Sequence, residues 1–196
     1  MINEKFSEAL AWAATLHHSQ RRKINDTPYL AHLISVAALV LENNGTEEQA
    51  IAALLHDAVE DQGVTVTEIE QRFGATVAAY VAAVTETELT TEPQPPWQER
   101  KLRYLTQLRA APAEAVFISL ADKLHNARSL EAGLHSHGES LWEDYFKSRR
   151  QETRWFYEQL VIEYRAKGFT DHWLLEELLR SLANIFPERQ LHLQAS

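Results

Sequence analysis

Apolar residues along this chain recur at helical spacing from one end to the other. Phe6, Leu10, Ala13 and Ala14 stand at i, i+4, i+7 and i+8 and predict a first amphipathic helix. Leu33, Val36, Ala37 and Val40 stripe a second, which Asn44-Gly45 stops. Thr46-Glu47-Glu48-Gln49 has the form of a capping box and opens a third through Ala52, Leu55 and Val59, with Gly63 beyond its end. Thr65 to Glu68 repeats the capping pattern for a short fourth helix that stops at Phe73-Gly74. A fifth is expected over residues 75–85. Residues 86–96 (ETELTTEPQPP) then form the one convincing loop, and Pro95-Pro96 is a good start for WQERKLRYLTQL. Residues 113–130 read as a helix, although the run VFISLA is short enough to be a strand by periodicity alone. One long segment is expected over residues 140–167, ending at Gly168. Thr170 is expected to cap a last helix carrying Leu174, Leu175, Leu178, Leu179, Leu182 and Ile185 on one side. The pattern predicts one all-α domain over residues 1–196, a compact bundle of about eight or nine helices with a core over residues 5–165. The last helix is expected to dock on that core or to form a dimer seam, so a homodimer is one expectation.

Composition narrows the function classes. The 196 residues are 45% apolar and 24% charged, ordinary values for a globular chain. With 19 Lys and Arg against 28 Asp and Glu, the formal charge is −9, which disfavours binding to a nucleic-acid backbone. It leaves room for a small anion in a local basic pocket. No cysteine is present, which excludes thiolate metal sites and cysteine nucleophiles and fits a reducing cytoplasm. The N-terminal stretch reads as a helix and not a signal peptide. The longest mostly apolar run, residues 33–41, is about half of what a bilayer requires. No membrane partner is expected.

The string with chemistry in it is LLHDAVED, residues 54–61. On a helix His56 and Glu60 are one turn apart, as are Asp57 and Asp61, so four metal-competent side chains leave an otherwise apolar helix together. An isolated His-Asp is most often a satisfied buried pair. Two neighbours alter that reading: His32 follows Pro28-Tyr29 at the start of the preceding helix, and Asp122 sits in the apolar run ISLADKLHN. A carboxylate there needs a cation or donors. Two imidazoles and two carboxylates form a borderline nitrogen and oxygen set that suits Mn²⁺, Fe²⁺ or Zn²⁺. The two densest basic clusters outside Arg149-Arg150 are Arg21-Arg22-Lys23 and Arg100-Lys101-Arg103.

The order His32, His56-Asp57, Asp122 resembles the HD superfamily of metal-dependent phosphohydrolases. HHSQRRKINDTPYLAHLISVA, AALLHDAVED, FGATVAAYVAAVT and SLADKLHNARSL together resemble the hydrolase domain of the RelA/SpoT-homologue family, in particular its small stand-alone members, over roughly residues 5–165. The resemblance implies that His32, His56, Asp57 and Asp122 hold one Mn²⁺ and that Glu60 and Asp61 position and activate the attacking water. It implies that Arg21, Arg22 and Lys23 grip the purine and its ribose phosphates, that Lys101 and Arg100 face the pyrophosphate, and that Asn126 meets the ribose. In one register Tyr145, Arg149 and Thr153 take the places where relatives hold substrate with an aromatic, an Arg and a Tyr. A shift of one residue puts Phe146 and Arg150 there.

The implied reaction removes pyrophosphate from the 3′ position of guanosine 5′-di- or triphosphate 3′-diphosphate. The adenosine analogue and the 2′-phosphate of NADPH are alternative substrates. A degenerate module that binds the nucleotide without hydrolysis is the alternative outside enzymology. The interval of residues 58–121 contains no histidine, which favours one metal over two. His125, one turn from Asp122, is expected either to touch the site or to take a surface or supporting role, His17 and His18 are given no catalytic task, and residues 86–96 are a candidate lid.

Overall fold

The computed structural model describes residues 3–86, 95–147 and 149–187. Among the described residues are eleven helices and no strand: α1 Glu4–Leu16, α2 Tyr29–Glu42, α3 Glu47–Leu55, α4 Ala58–Gln62, α5 Val66–Phe73, α6 Ala75–Val84, α7 Trp97–Ala110, α8 Ala113–His137, α9 Ser140–Phe146, α10 Arg150–Ala166 and α11 Trp173–Ile185. The all-α expectation holds, and both capping boxes form as the sequence implies, Thr46 with Gln49 and Thr65 with Glu68.

The extra helices come from two breaks that periodicity does not announce. The predicted third helix divides at His56-Asp57, where the His56 ring Nδ1 donates to the Ala53 carbonyl at 2.8 Å and Asp57 turns to φ −98°, ψ 0°. That break is what lets His56 and Asp57 leave the helix toward a common point. The segment 140–167 divides at Lys147, which takes φ +51° without a glycine to mark it. The last helix starts later than expected, because His172 and not Thr170 accepts from the Leu174 N–H.

α8 is the axis of the bundle. Its apolar run, Ala115 to Ala121, is buried, and it packs against α2, α3, α6 and α11. Leu174, Leu175, Leu178 and Leu182 of the α11 stripe are buried within the chain, where the helix docks on α8. The loop between α1 and α2 is stitched by Arg22 N–H to Thr27 carbonyl (2.9 Å), Tyr29 N–H to Gln20 carbonyl (2.9 Å) and an isolated bridge between Arg21 and Pro28. Gly133 on α8 lets this loop close: a Cβ there would meet Ile24 Cγ2 at 2.7 Å and Leu141 Cδ1 at 3.0 Å. Of the predicted loop 86–96, residues 87–94 lie outside the described residues, and the lid expectation lies with them.

Candidate active site

α2, the α3–α4 break and α8 bring four side chains to one buried point. Ligand atoms of His32, His56 and Asp57 lie within 4.8 Å of one another. The His32 Nε2 is 3.3 Å from Asp122 Oδ1 and 3.6 Å from Asp57 Oδ2; the His56 Nε2 is 2.9 Å from Asp57 Oδ2 and 3.6 Å from Asp122 Oδ1. These are approaches and not hydrogen bonds, for both Nε2 atoms are buried and lack an aligned partner. Two orphaned imidazole nitrogens facing two carboxylate oxygens around one point are the donor set of a cation site.

The tautomers agree with that reading. A carbonyl can only accept, so the bond to Ala53 puts the His56 proton on Nδ1 and leaves a lone pair on Nε2. The His32 Nδ1 lies 2.8 Å from the His125 Nδ1. Burial lowers the His125 pKa to about 4, with the His32 and Arg22 charges acting the same way, so His125 is neutral and able to accept. Burial also works against charge on His56, but the Asp57 and Asp122 carboxylates outweigh it and raise the imidazole well above its ordinary value. Without a metal that field holds a proton, and a divalent cation would take its place.

Further partners fix the carboxylates. The Tyr29 hydroxyl donates to Asp57 Oδ2 at 2.7 Å. Asp122 accepts from Lys123 Nζ and Asn126 Nδ2, each at 2.5 Å, and Arg22 Nη2 donates to the Asn126 Oδ1 at 2.8 Å. A chain of contacts thus runs from the basic loop to Asp122.

Glu60 and Asp61, adjacent in sequence, open on different spaces. Glu60 lines a cavity of about 130 Å³ with His56, Asp57, Glu86, Lys101 and Asp122. Burial, then the charges of Asp57 and Glu86, raise its pKa from 4.5 to about 7. Asp61 lines a separate cavity of about 250 Å³ with Gln20, Arg21 and Tyr29, and accepts from Gln20 Nε2 at 2.7 Å. The Gln20 Oε1 in turn accepts from Gln62 Nε2 at 2.6 Å and approaches the His17 Nδ1 at 2.5 Å. His17 is buried and stacked on Tyr29 with ring centroids 5.4 Å apart, while His18 is exposed.

Beside the small cavity lies a larger one of about 460 Å³, lined by Arg22, Lys23, Arg100, Lys147 and Arg149 and by Trp97, Tyr145 and Phe156. Lys123, Asn126 and Phe156 line both, so the two share a wall. Among the described residues no carboxylate lines the larger cavity. Of the residues singled out in the sequence, Arg22, Lys23, Arg100, Asn126, Tyr145 and Arg149 meet there, and Lys101 meets the acidic cluster next door. Thr153 lines the cavity with Tyr145 and Arg149. Arg150 is placed elsewhere, donating to Glu139 at 2.8 Å with its guanidinium over Trp142. Arg21 lines the 250 Å³ cavity. Sequence reasoning missed Lys123, Tyr29, Gln20, Trp97 and Glu86. The first two had a signal, being next to Asp122 and one turn before His32.

The sequence profile of the HD domain matches residues 9–143. The chain belongs to the HD-domain family. An HD domain binds a divalent metal, and His32, His56 and Asp57 are the cluster this chain offers it.

This HD-domain chain is 38% identical over 130 residues to the Drosophila melanogaster guanosine-3′,5′-bis(diphosphate) 3′-pyrophosphohydrolase MESH1, spanning 65% of the chain and 70% of the relative. It is 36% identical over 129 residues to a probable guanosine-3′,5′-bis(diphosphate) 3′-pyrophosphohydrolase of Synechocystis, where it spans 63% of itself and 16% of that longer protein. A solved structure, described as a metazoan ortholog of SpoT that hydrolyzes ppGpp and plays a role in starvation responses, superposes with a TM-score of 0.74. It has 30% identity and covers 92% of this chain and 96% of its own. Among the described residues no helix is long and apolar enough to cross a membrane.

Proposed function

We propose that this chain is a metal-dependent hydrolase that removes the 3′-pyrophosphate from guanosine 5′-di- or triphosphate 3′-diphosphate, giving GDP or GTP and pyrophosphate. The observation that carries the reading is the shared wall between a cavity lined, among the described residues, by cations, aromatics and neutral groups and a buried cluster of two imidazoles and two carboxylates. A nucleotide with phosphates at both ends fits that division. The names carried by the relatives support the same substrate.

His32, His56, Asp57 and Asp122 would hold the metal, which we assign as Mn²⁺ from the borderline nitrogen and oxygen set. When bound, the ion supplies Lewis acidity and draws the pKa of water toward neutrality. Glu60, raised to about 7 and facing the same cavity, accepts the proton of the attacking water. The water oxygen bonds to the phosphorus on the ribose 3′ oxygen, the P–O3′ bond breaks, and Glu60 returns the proton to that oxygen. Asp61 opens on the neighbouring cavity, so its part is orientation and not proton transfer. Arg22, Lys23 and Arg149 hold the nucleotide, with Arg100 beside them and Lys101 on the diphosphate. Asn126, fixed between Arg22 and Asp122, meets the ribose. The absence of cysteine supports placing the enzyme in the cytoplasm.

Chelator-stripped protein incubated with the guanosine compound, its adenosine analogue and NADPH, each with and without Mn²⁺, tests this by product chromatography. Metal-dependent release of pyrophosphate with GDP or GTP is the expected result. Cleavage of NADPH or the adenosine compound alone overturns the substrate and leaves the site. Binding of the guanosine compound with no product under any divalent metal overturns the hydrolase and leaves a binding module.

A further inference from the structure

The acidic cavity holds an uneven set of charges. Two lysines line it, and both are already engaged: Lys123 with Asp122 and Lys101 with Glu86. Asp122 belongs to the cation cluster. Glu86 does not, and the contacts of its carboxylate run the other way. One oxygen accepts from Lys101 Nζ, and the other accepts from Arg100 Nη1 at 3.2 Å. Lys101 faces the small acidic cavity and Arg100 the large cationic one, so a single carboxylate bridges the two cations at the boundary between the spaces. Its side chain is 11% exposed, against 31% for Arg100. Glu86 follows Thr85, whose backbone has left α6 for an extended conformation, so no helical ladder fixes the residue.

A diphosphate passing from the nucleotide cavity to the metal cluster needs the same two cations. A bridging carboxylate has two oxygens and one charge, and a phosphoryl group offers more oxygens and more charge on the same footprint. We propose that Glu86 is an exchangeable internal anion that occupies the diphosphate seat of Arg100 and Lys101 and gives way only to a multiply charged phosphoryl group. This rests on the reading above that the site receives a polyphosphate. The seat is then closed to monovalent anions, since exchanging one single charge for another gains nothing. Entry of the diphosphate frees a carboxylate at the mouth of the cavity, where it is next to water.

The test is calorimetric titration of the full chain, loaded with one equivalent of Mn²⁺, with inorganic pyrophosphate and separately with acetate at fixed ionic strength. Glu86→Gln removes the charge and keeps the shape. It is expected to tighten pyrophosphate about tenfold, the scale set by deleting one like charge from a partly screened site, and to make acetate binding measurable. In a background with both Arg100→Met and Lys101→Met the same substitution is expected to change pyrophosphate affinity less than twofold, because both contested cations are gone. Glu86→Asp, which is too short to span both cations, is expected to fall between wild type and Glu86→Gln and serves if the glutamine variant folds poorly. Unchanged or weaker pyrophosphate binding in Glu86→Gln overturns the exchange and makes Glu86 a fixed support of Lys101. Pyrophosphate affinity is read without turnover. Failure of nucleotide hydrolysis with an intact Glu86 effect therefore removes the substrate reading alone, and the converse removes only this one.

Discussion

The Nδ1 atoms of His32 and His125 face each other at 2.8 Å. Only one of them can carry the proton of that contact. Because the His32 Nε2 is buried without a partner and aimed at Asp57 and Asp122, the proton belongs on the His32 Nδ1 and His125 accepts it. A phenylalanine at 125 fills the space but accepts nothing, so the His32 ring is free to take the other tautomer. His125→Phe is expected to weaken Mn²⁺ binding about 10- to 100-fold, the usual cost of losing a partner that orients a metal ligand, with helical content unchanged. A titration of the stripped protein followed by electron paramagnetic resonance reads this directly. Equal affinity in the variant means His32 is oriented by packing alone.

Glu60 gives the pH dependence its sign. Burial and the Asp57 and Glu86 charges raise its pKa to about 7, and a proton acceptor must be ionised, so turnover declines as pH falls through that region. A cation on the cluster offsets the Asp57 charge, which places the limb of the loaded enzyme at or below about 7. Glu60→Gln is expected to abolish the limb and lower kcat by about 10²- to 10⁴-fold, with metal affinity kept. Stability moves in the opposite sense. The folded chain keeps a proton between pH 4.5 and about 7 that an unfolded chain releases, so this group's contribution is present at low pH and is lost as pH rises across that window. Thermal melts of wild type and Glu60→Gln across that range should converge at its acid end. A rate profile unchanged by the substitution removes Glu60 as the proton acceptor.

Gln20 ties Asp61 in place. With Oε1 turned to Gln62 and His17, its amide can offer Asp61 only the Nε2 hydrogens. Gln20→Ala is therefore expected to lower kcat about tenfold while leaving Mn²⁺ affinity alone, since Asp61 is not among the metal-facing atoms. If Asp61→Asn already lowers kcat, adding Gln20→Ala should cost little more, because both act through one contact. Full additivity of the two would separate Gln20 from Asp61.

The outline of this fold was readable because its signals are local. Thr46 and Thr65 cap where their Glu or Gln stands three residues on, and stripes such as Leu33, Val36 and Val40 face the core. The cation cluster was readable for a related reason: polar residues in apolar runs, such as Asp122 after Val116 to Leu120, need partners. What escaped were backbone choices and long-range pairs. Lys147 adopts positive φ with no glycine to flag it, and the His56 ring takes the Ala53 carbonyl where a helix pattern runs on. Glu86 meets Arg100 and Lys101, 14 and 15 residues further on, a pairing that no local pattern encodes. Glu60 and Asp61 looked equivalent because helical spacing orders residues along an axis but does not say which cavity each will face.

Gly133 is the last point where sequence and site meet, and two effects of opposite sign compete there. Alanine is the better helix former by about 1 kcal/mol in an exposed helix interior. Its methyl would stand 2.7 Å from Ile24 Cγ2 and 3.0 Å from Leu141 Cδ1, contacts that a buried residue cannot hold without displacement. Overpacking of that kind costs about 1–3 kcal/mol, so the helix gain is cancelled or exceeded and Gly133→Ala should melt at or below the wild-type temperature. Ile24 is the residue that gives, because it sits on the stitched loop and not within a helix. Its movement carries Arg22 and Lys23 away from the cationic cavity. The expected kinetic signature is a raised KM for the nucleotide with kcat little changed, since Glu60 and the cation cluster lie on other elements. A higher melting temperature with an unaltered KM would show that the loop is not seated by this glycine.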